Sequence, residues 1–272
     1  MQKLLGRGNN KGADTSTLGV QYAKPKGVEV RITDLNKSFN GHHVLKNINL
    51  VVKPNETFAI IGPSGTGKSV LLKHLVKLIE PDSGSIHING VDILKNVDKK
   101  ASYRCSMVFQ TSALFNSLSV GENVGLWLRE NRICPETRIR AIIQEKLRLV
   151  GLAGKENLRT SEISGGMKKR VAIARSLAVN PDLILYDEPT AELDPVTSDE
   201  LARVMKSLRQ ELDFTTIIVS HDLNFALYLS DRVAMINQDG IVEVGTPEEI
   251  KKSENPVVRN FIYTTTKGLK GE

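Results

Sequence analysis

Short apolar runs separated by turn residues dominate the first third of this chain. Valine and isoleucine alternate with charged residues over 28–32, and a similar alternation over 48–52 predicts a second half-buried strand. The continuous apolar run at 58–61 predicts a strand that is buried on both faces. A Gly-rich turn follows, and then a predicted helix whose apolar residues are Leu71, Leu72, Leu75 and Leu78.

The rest of the chain alternates strand and helix patterns. Further strands are predicted at 85–88, 105–109, 183–186, 216–219 and 233–236. Helices are predicted at 166–178 and 198–210, and a hairpin is predicted around Gly240. This alternation indicates a largely parallel sheet. Residues 119–160 interrupt it with a mainly helical pattern, which predicts an inserted helical subdomain with bounds at about 112–165.

Composition and charge narrow the possible functions. The chain has 272 residues, of which 37 are basic and 31 are acidic, and only 5% are aromatic. A nucleic-acid binder more often shows basic clusters interleaved with aromatic residues, so we predict no nucleic-acid partner. The two cysteines, Cys105 and Cys134, have no zinc-binding spacing, and two unpaired thiols favour a reducing compartment.

The two ends of the chain differ from its middle. Residues 1–27 are rich in Gly, Asn, Lys and Thr without periodicity, which predicts a flexible tail. We assign the main domain to 28–252 and a C-terminal extension to 253–272. No apolar run approaches the roughly 20 residues that span a bilayer, and the N-terminus lacks an apolar signal segment. We therefore expect a cytoplasmic protein, with any membrane-spanning part on another polypeptide.

A Gly-rich motif at 62–69, the phosphate loop, predicts a nucleotide site. It reads Gly62-Pro63-Ser64-Gly65-Thr66-Gly67-Lys68-Ser69 and fits the pattern G-x-x-x-x-G-K-[ST]. Glycines let backbone N–H groups converge on a polyanion, and the helix that follows presents its positive end. Lys68 supplies a charge for the β- and γ-phosphates, and Ser69 can bind Mg²⁺. A coincidental turn is the alternative, but the motif follows a buried strand and opens a helix, as a nucleotide site requires.

Two acids end the apolar strand at 183–186. Carboxylates at the end of a buried strand are costly unless they meet cations or hydrogen bonds, or are solvated. The acids Asp187 and Glu188 are therefore either solvated or functional. In the functional interpretation, Asp187 holds the Mg²⁺ water shell and Glu188 polarises an attacking water.

His221 and Gln110 end two other predicted strands. A lone histidine is more often structural. However, the carboxyl ends of parallel strands meet at one edge of the sheet, where ligands collect. At that edge we expect His221 to contact the γ-phosphate and the water, and the amide oxygen of Gln110 to reach Mg²⁺.

A second pair of glycines opens the predicted helix at 166–178. Ser164, Gly165 and Gly166 at a helix N-terminus form either an ordinary cap or a second anion site. We expect the basic run at 168–170 to be a solvated face of this helix.

These motifs together resemble those of ABC transporter ATPases. The shared features, in the family's order, are the phosphate loop, Gln110, Ser164-Gly165-Gly166, Asp187-Glu188-Pro189-Thr190, Leu193-Asp194-Pro195 and Ser220-His221-Asp222. The resemblance covers about 28–250. It implies an α/β P-loop fold with a RecA-like parallel core, an antiparallel β subdomain and the helical insertion. It also implies ATP hydrolysis with Mg²⁺ by a homodimer, with each ATP between the phosphate loop of one chain and Ser164-Gly165-Gly166 of the other.

The resemblance assigns roles to further residues. Phe39 matches the aromatic residue that stacks on adenine, Val70 completes the nucleotide-binding set, and Asp194 matches the residue that couples the two ATP sites. Glu192 departs from the family pattern, because many members have Gly or another small residue before Leu-Asp-Pro. This departure puts in doubt how the loop packs across the dimer.

A closer resemblance is to the ATPases of bacterial phospholipid-trafficking (Mla, lipid-asymmetry) systems. Its features are the segment 109–115, Val120, Asn123-Val124, the Met-Lys-Lys-Arg run after the second glycine pair, and 255–261. It implies phospholipid transport between inner and outer membranes, with the chain bound peripherally at the cytoplasmic face of the inner membrane. The implied partners are a transmembrane permease, a lipid-binding MCE-domain subunit and a small STAS-domain subunit. In the family a groove receives a permease helix, and we expect Phe115 or Leu118 to be exposed there.

Three other functions fit parts of the pattern. An ABC importer or exporter of another substrate would share the motifs of the ATP site. A soluble ABC-type ATPase acting on DNA or ribosomes usually carries coiled coils, zinc cysteines or two fused ATPase units, which this sequence lacks. A P-loop kinase or GTPase is disfavoured by the ordered second motif and histidine, and by the lack of a guanine-reading Asn-Lys-x-Asp element.

Overall fold

The computed structural model describes residues 25–95 and 103–267. The strands in these ranges are β1 (Val30–Phe39), β2 (His42–Val52), β3 (Thr57–Ile61), β4 (Ser83–Ile88), β5 (Val91–Asp92), β6 (Cys105–Val108), β7 (Leu183–Asp187), β8 (Thr215–Ser220), β9 (Arg232–Asn237) and β10 (Gly240–Gly245). The helices are α1 (Lys68–Leu75), α2 (Val120–Glu130), α3 (Glu136–Leu149), α4 (Gly165–Ala178), α5 (Pro195–Glu211), α6 (Leu223–Leu229), α7 (Pro247–Lys251) and α8 (Pro256–Lys267).

The strands form two sheets. One is antiparallel, with the order β2-β1-β4-β5, and the other has the order β10-β9-β3-β8-β7-β6. In the second sheet β9, β3, β8, β7 and β6 pair in parallel, and only β10 is antiparallel. Both β3 and β7 are buried at every position, as continuous apolar runs predict. The predicted α/β class, a parallel core sheet beside an antiparallel one, is confirmed.

The first helix is shorter than its apolar pattern suggests. Prediction placed Leu78 on the apolar side of the helix, which is wrong. The helix α1 ends at Leu75, and Lys77 adopts a left-handed conformation with φ of 57°. The chain therefore turns away from the core, and Leu78 is 61% exposed.

The insertion between β6 and β7 is helical. Ser119 caps α2 in a reciprocal arrangement: its hydroxyl accepts from the Glu122 N–H, and the Glu122 carboxylate accepts from the Ser119 N–H. The helices α2 and α3 pack on α4 through one apolar cluster that includes Val124, Leu147 and Val171. This cluster continues to β7 through Tyr186, so the insertion shares a core with the parallel sheet.

The structure tests the predictions for the two ends of the chain only in part. Most of the predicted N-terminal tail, residues 1–24, lies outside the described residues. The assignments at 28–252, 112–165 and 253–272 stay predictions. Within the two described ranges, no helix combines the length and apolar character needed to cross a membrane.

Candidate functional site

The predicted polar residues meet at one edge of the parallel sheet. The pairs Ile61–Ser220 and Asp187–Val219 place the ends of β3, β7 and β8 side by side. The phosphate loop follows β3, Glu188 follows β7 and His221 follows β8. This edge is where an open α/β sheet binds its ligands.

Backbone geometry explains two glycines of the phosphate loop. Gly62 has φ of 152°, and a Cβ there would lie 2.1 Å from the Ile236 carbonyl oxygen. Gly67 has φ of 85°, and a Cβ there would lie 2.8 Å from the Val44 carbonyl oxygen. A side chain at either position would push the loop away from β9 or β2, so only glycine permits this tight turn before α1.

Lys68 places a buried cation beneath the loop. Its Nζ donates to the carbonyl oxygens of Gly62 and Pro63 at 2.8 and 2.9 Å, and the residue is only 6% exposed. Burial lowers the pKa of the Lys68 amine, while the charges of Glu188 and Asp187 oppose that shift. The amine is therefore near both acids and is poised to meet an anion that enters the loop.

Two oxygens beside the loop suit a hard divalent cation. The Ser69 hydroxyl donates to Asp187 Oδ1 at 2.6 Å, and hydroxyl and carboxylate oxygens are ligands that Mg²⁺ accepts. Among the described residues, no group of three or more His, Cys, Asp or Glu side chains could hold a metal. A cation at Ser69 and Asp187 would thus take other ligands from water and from the phosphates of a nucleotide, as Mg²⁺ usually does.

Glu188 and His221 form a pair at the sheet edge. The Glu188 Oε2 accepts from the His221 backbone N–H at 3.1 Å and lies 2.7 Å from His221 Nδ1. The Glu188 side chain is 12% exposed, whereas the His221 ring is 58% exposed. The arrangement fixes one carboxylate oxygen of Glu188 and leaves the His221 ring open to solvent.

Gln110 faces the same edge from β6. It is exposed and lines an open cleft of about 900 Å³ together with Glu192 and His221. Its backbone carbonyl accepts a hydrogen bond from Lys169 Nζ. The structure therefore brings Gln110 and His221 to one cleft, as their positions at strand ends predict.

The expectation of a solvated basic run at 168–170 is wrong for Lys169. This residue is 5% exposed because it lies three residues after the buried Gly166 and three before the buried Ala172, on the packed side of α4. Sequence reasoning also missed Arg175, whose guanidinium donates to two carbonyls after Gln110. The helical spacing from the second glycine pair is the signal that could have found Lys169.

The second glycine motif caps α4 and contacts the start of α5. The Ser164 hydroxyl accepts from the Met167 N–H at 3.3 Å. A Cβ on Gly166 would lie 2.3 Å from Thr197 Cγ2, so the glycine allows close packing. Asp194 caps α5, accepting from the Thr197 N–H at 3.0 Å and from its hydroxyl at 2.5 Å. The start of α4, which Ser164 caps, therefore packs beside the start of α5, which Asp194 caps.

Phe39 ends β1 as a partly exposed ring. It is 40% exposed, and Lys37 Nζ lies 5.3 Å from the ring centroid. The Asp82 carboxylate accepts from Lys37 Nζ at 2.8 Å and from the Ser38 N–H at 2.6 Å. These contacts fix the strand end that carries the ring, which is suited to stacking on a planar base.

Comparison with known proteins gives a consistent family. The family model described as "ABC transporter" matches residues 45–191. The probable ribonucleotide transport ATP-binding protein mkl of Mycobacterium tuberculosis is 39% identical over 88% of this chain and 67% of its own length. The intermembrane phospholipid transport system ATP-binding protein MlaF of Haemophilus influenzae is 37% identical over 83% of this chain and 86% of its own length. The L-cystine import ATP-binding protein TcyN of Bacillus subtilis is 42% identical over 86% of this chain and 92% of its own length.

A solved structure has the same fold. The ATP-binding cassette MJ0796, a dimer in a post-hydrolysis state bound to ADP and phosphate, superposes with a TM-score of 0.70. It is 30% identical, and the match covers 80% of this chain and 98% of that chain.

Proposed function

The chain belongs to the ABC transporter family as an ATP-hydrolysing subunit, and from this premise we propose that it powers phospholipid transport between two membranes. The support is the likeness to the Haemophilus phospholipid-transport ATPase together with the conformation of residues 115–119. We further propose a homodimer at the cytoplasmic face of the inner membrane, acting with a permease, an MCE-domain subunit and a STAS-domain subunit.

The loop at 115–119 carries the lipid proposal. Asn123 is fully buried, and its amide donates to the carbonyls of Phe115, Leu118 and Ser119 at 3.1, 3.3 and 2.9 Å. Its Oδ1 accepts from the Phe115 N–H at 2.8 Å. With these four hydrogen bonds in place, the Phe115 ring is 53% exposed. Asn123 is one of the residues on which the resemblance to lipid-trafficking ATPases rests.

A groove lined by residues of β6 and α2 suits a helix of the permease. It has a volume of about 400 Å³, and its apolar lining residues are Val76, Leu78, Met107, Phe109, Trp127 and Val179. Leu78 and Trp127 are 61% and 42% exposed. Apolar side chains gathered at a groove favour a protein partner over water. Phe109 adjoins Gln110, so a partner here would lie next to the ATP site.

At the ATP site we assign the phosphates to residues 62–69 and the base to Phe39. Lys68 would stabilise the β- and γ-phosphates. Mg²⁺ would be held by Ser69, Asp187 and Gln110, and it would neutralise phosphate charge. Val70 lies in the first turn of α1, next to the loop, and belongs to the same binding set.

Hydrolysis would depend on Glu188 and His221. Their hydrogen bonds occupy Glu188 Oε2, so Oε1 remains to orient the attacking water and take its proton. The exposed His221 ring would contact the γ-phosphate. Ser164, Gly165 and Gly166 would face the ATP of a second chain, and Asp194 would link the two sites.

The test of the lipid proposal is purification and reconstitution. The full chain, tagged and extracted from its native membranes in detergent, is expected to co-purify with a permease and an MCE-domain chain. In proteoliposomes that complex should transfer labelled glycerophospholipid only with hydrolysable ATP. Co-purification with a solute-import permease, and no lipid transfer, would refute the proposal.

Import of a small polar solute is the second candidate, because TcyN is 42% identical over 92% of its length. In the same proteoliposomes this candidate predicts that the solute-binding partner stimulates ATP hydrolysis. It also predicts that changing the lipid composition leaves the rate unaltered.

A further inference from the structure

Side chains of α4 bind three backbone carbonyls of the Gln110 loop, residues 110–113. Lys169 Nζ donates to the Gln110 carbonyl. Arg175 donates to the Ser112 and Ala113 carbonyls at 2.9 and 2.7 Å. The loop that carries Gln110 is therefore attached to the helix that Ser164 caps.

The backbone of this loop requires external support. Ser112 and Ala113 have φ of 62° and 46°, two consecutive left-handed residues that are not glycine. Side chains with a Cβ disfavour this region, and it persists where the surroundings enforce it. The bonds from Lys169 and Arg175 are the part of those surroundings that α4 provides.

The donor to the Gln110 carbonyl is a buried lysine amine. The residue is only 5% exposed, and burying an ammonium is costly unless hydrogen bonds or opposite charges compensate. Burial lowers the pKa of its amine, and the charge of Glu192 opposes that shift. Glu192 lies two residues before Asp194, at the position where the family commonly has a small residue. The hydrogen bond that Lys169 makes is to the Gln110 carbonyl.

We propose that Lys169 is a positioning residue: its hydrogen bond to the Gln110 carbonyl holds the loop in the conformation from which the Gln110 side chain reaches the metal–nucleotide site. The inference rests on the proposed role of Gln110 as a metal-facing residue.

The experiment compares Lys169→Met with Lys169→Arg in the full-length chain. Methionine fills similar volume but cannot donate, whereas arginine keeps a charged donor. We expect Lys169→Met to lower the maximal hydrolysis rate about tenfold, as loss of a charged hydrogen bond would. It should also raise the half-saturating Mg²⁺ concentration and leave Mg²⁺-free ATP affinity unchanged. Lys169→Arg should recover most of both parameters.

Lys146→Met is the matched control. Lys146 is 6% exposed and pairs with Glu145 of the same helix, α3, at 2.8 Å. Its loss should reduce thermal stability without altering the Mg²⁺ dependence. Lys169→Gln, which keeps a neutral donor, replaces Lys169→Met if the latter does not fold, and an intermediate Mg²⁺ requirement is expected.

Several results would overturn the inference. A folded Lys169→Met or Lys169→Gln enzyme with the wild-type Mg²⁺ dependence would do so. A variant that loses ATP binding and stability together would show a merely structural role. Gln110→Ala tests the proposed role of Gln110 separately from that of Lys169. If Gln110→Ala leaves the Mg²⁺ requirement unchanged, the proposed role of Gln110 fails; if only the Lys169 variants leave it unchanged, this inference alone fails.

Discussion

Glu188 illustrates how one residue is placed by its neighbours. It has φ of 48°, a conformation that a residue with a long side chain seldom adopts. Its backbone N–H donates to the Val219 carbonyl at 2.9 Å, and its carboxylate accepts from the His221 N–H. The adjacent strand therefore holds the backbone in this conformation, which suggests that the position of the carboxylate matters more than local stability.

Glu188→Gln is expected to separate ATP binding from hydrolysis. Glutamine preserves the shape and can still accept from the His221 N–H, but it cannot take a proton from water. We expect phosphate release to fall at least about a hundredfold, with nucleotide affinity nearly unchanged. Phosphate-release and fluorescent-nucleotide assays measure the two quantities.

Glu200→Gln is the matched control, since Glu200 is exposed on α5 and pairs with Arg170 at 3.6 Å. It should retain the wild-type rate. Hydrolysis at that rate in Glu188→Gln would remove Glu188 from catalysis.

At the residue scale, chemistry was easier to predict than burial. The spacing of Gly62, Gly67 and Lys68 indicated a phosphate site because few other functions require those residues together. The prediction for Lys169 is wrong because a run of three basic residues indicates solvent exposure only when no member of the run lies on the packed face of its helix. The place of Lys169 on the packed side of α4 follows from helical spacing, whereas its hydrogen-bond partner, the Gln110 carbonyl, lies 59 positions away in the chain and has no local signal.

At the element scale, Asp182 joins three segments at the opposite edge of the parallel sheet. Its carboxylate accepts from the Arg104 N–H at 2.8 Å, from the Arg104 guanidinium and from the Lys26 N–H at 2.9 Å. The residue is 7% exposed and directly precedes β7. It thus fixes the start of β6 and the approach of the N-terminal segment.

Asp182→Asn is expected to lower stability in a pH-dependent manner. Burial alone would raise the pKa of Asp182, but hydrogen bonds from Arg104 and Lys26 outweigh it and hold the pKa below its usual range. The carboxylate's contribution is therefore complete above its unfolded pKa of about 3.9 and is lost as the pH falls through the folded pKa.

Urea unfolding at several pH values measures this effect. We expect the variant to be about 2 kcal/mol less stable at pH 7, and the difference to shrink below pH 4. A difference that is independent of pH would contradict the ionic role of Asp182.

Element bounds could be predicted only where the pattern has a local cause. The continuous apolar runs gave β3 and β7 because burial on both faces leaves no polar position. The end of α1 could not be predicted in this way, since Leu78 has helical spacing from Leu71 and Leu75. Leu78 is exposed where it lines a groove together with Trp127. That groove exists only once β6 and α2 are assembled.

At the scale of the whole molecule, that groove should control assembly with the permease. Trp127→Glu replaces an exposed apolar ring by a charge in a groove whose lining is mainly apolar, so we expect the complex to be lost while ATP affinity is retained. Val244→Glu, at the same 42% exposure on β10, is the control and should assemble normally. Pull-down of the permease measures assembly, and unimpaired assembly of Trp127→Glu would show that the groove is not the contact.

The two motifs that we propose to face phosphates belong to different elements of one chain. Lys68 begins α1 beside the acids of the sheet edge, whereas Ser164 caps α4, whose Gly166 packs against Thr197 of α5. If each ATP lies between Lys68 of one chain and Ser164 of the other, two inactive variants should restore each other. In a mixed dimer of Lys68→Ala and Ser164→Arg, one site carries both changes and the other carries neither.

Mixing therefore distinguishes a shared site from a self-contained one. With random pairing of equal amounts, half the dimers are mixed and each has one intact site, so about a quarter of the wild-type hydrolysis is expected if sites act independently. A self-contained site would give no activity in any pairing, because every chain carries one lesion. Phosphate release by each variant alone and by the mixture decides between them, and Glu188→Gln added to the Ser164→Arg chain should abolish the restored activity, since it removes the base from the one intact site.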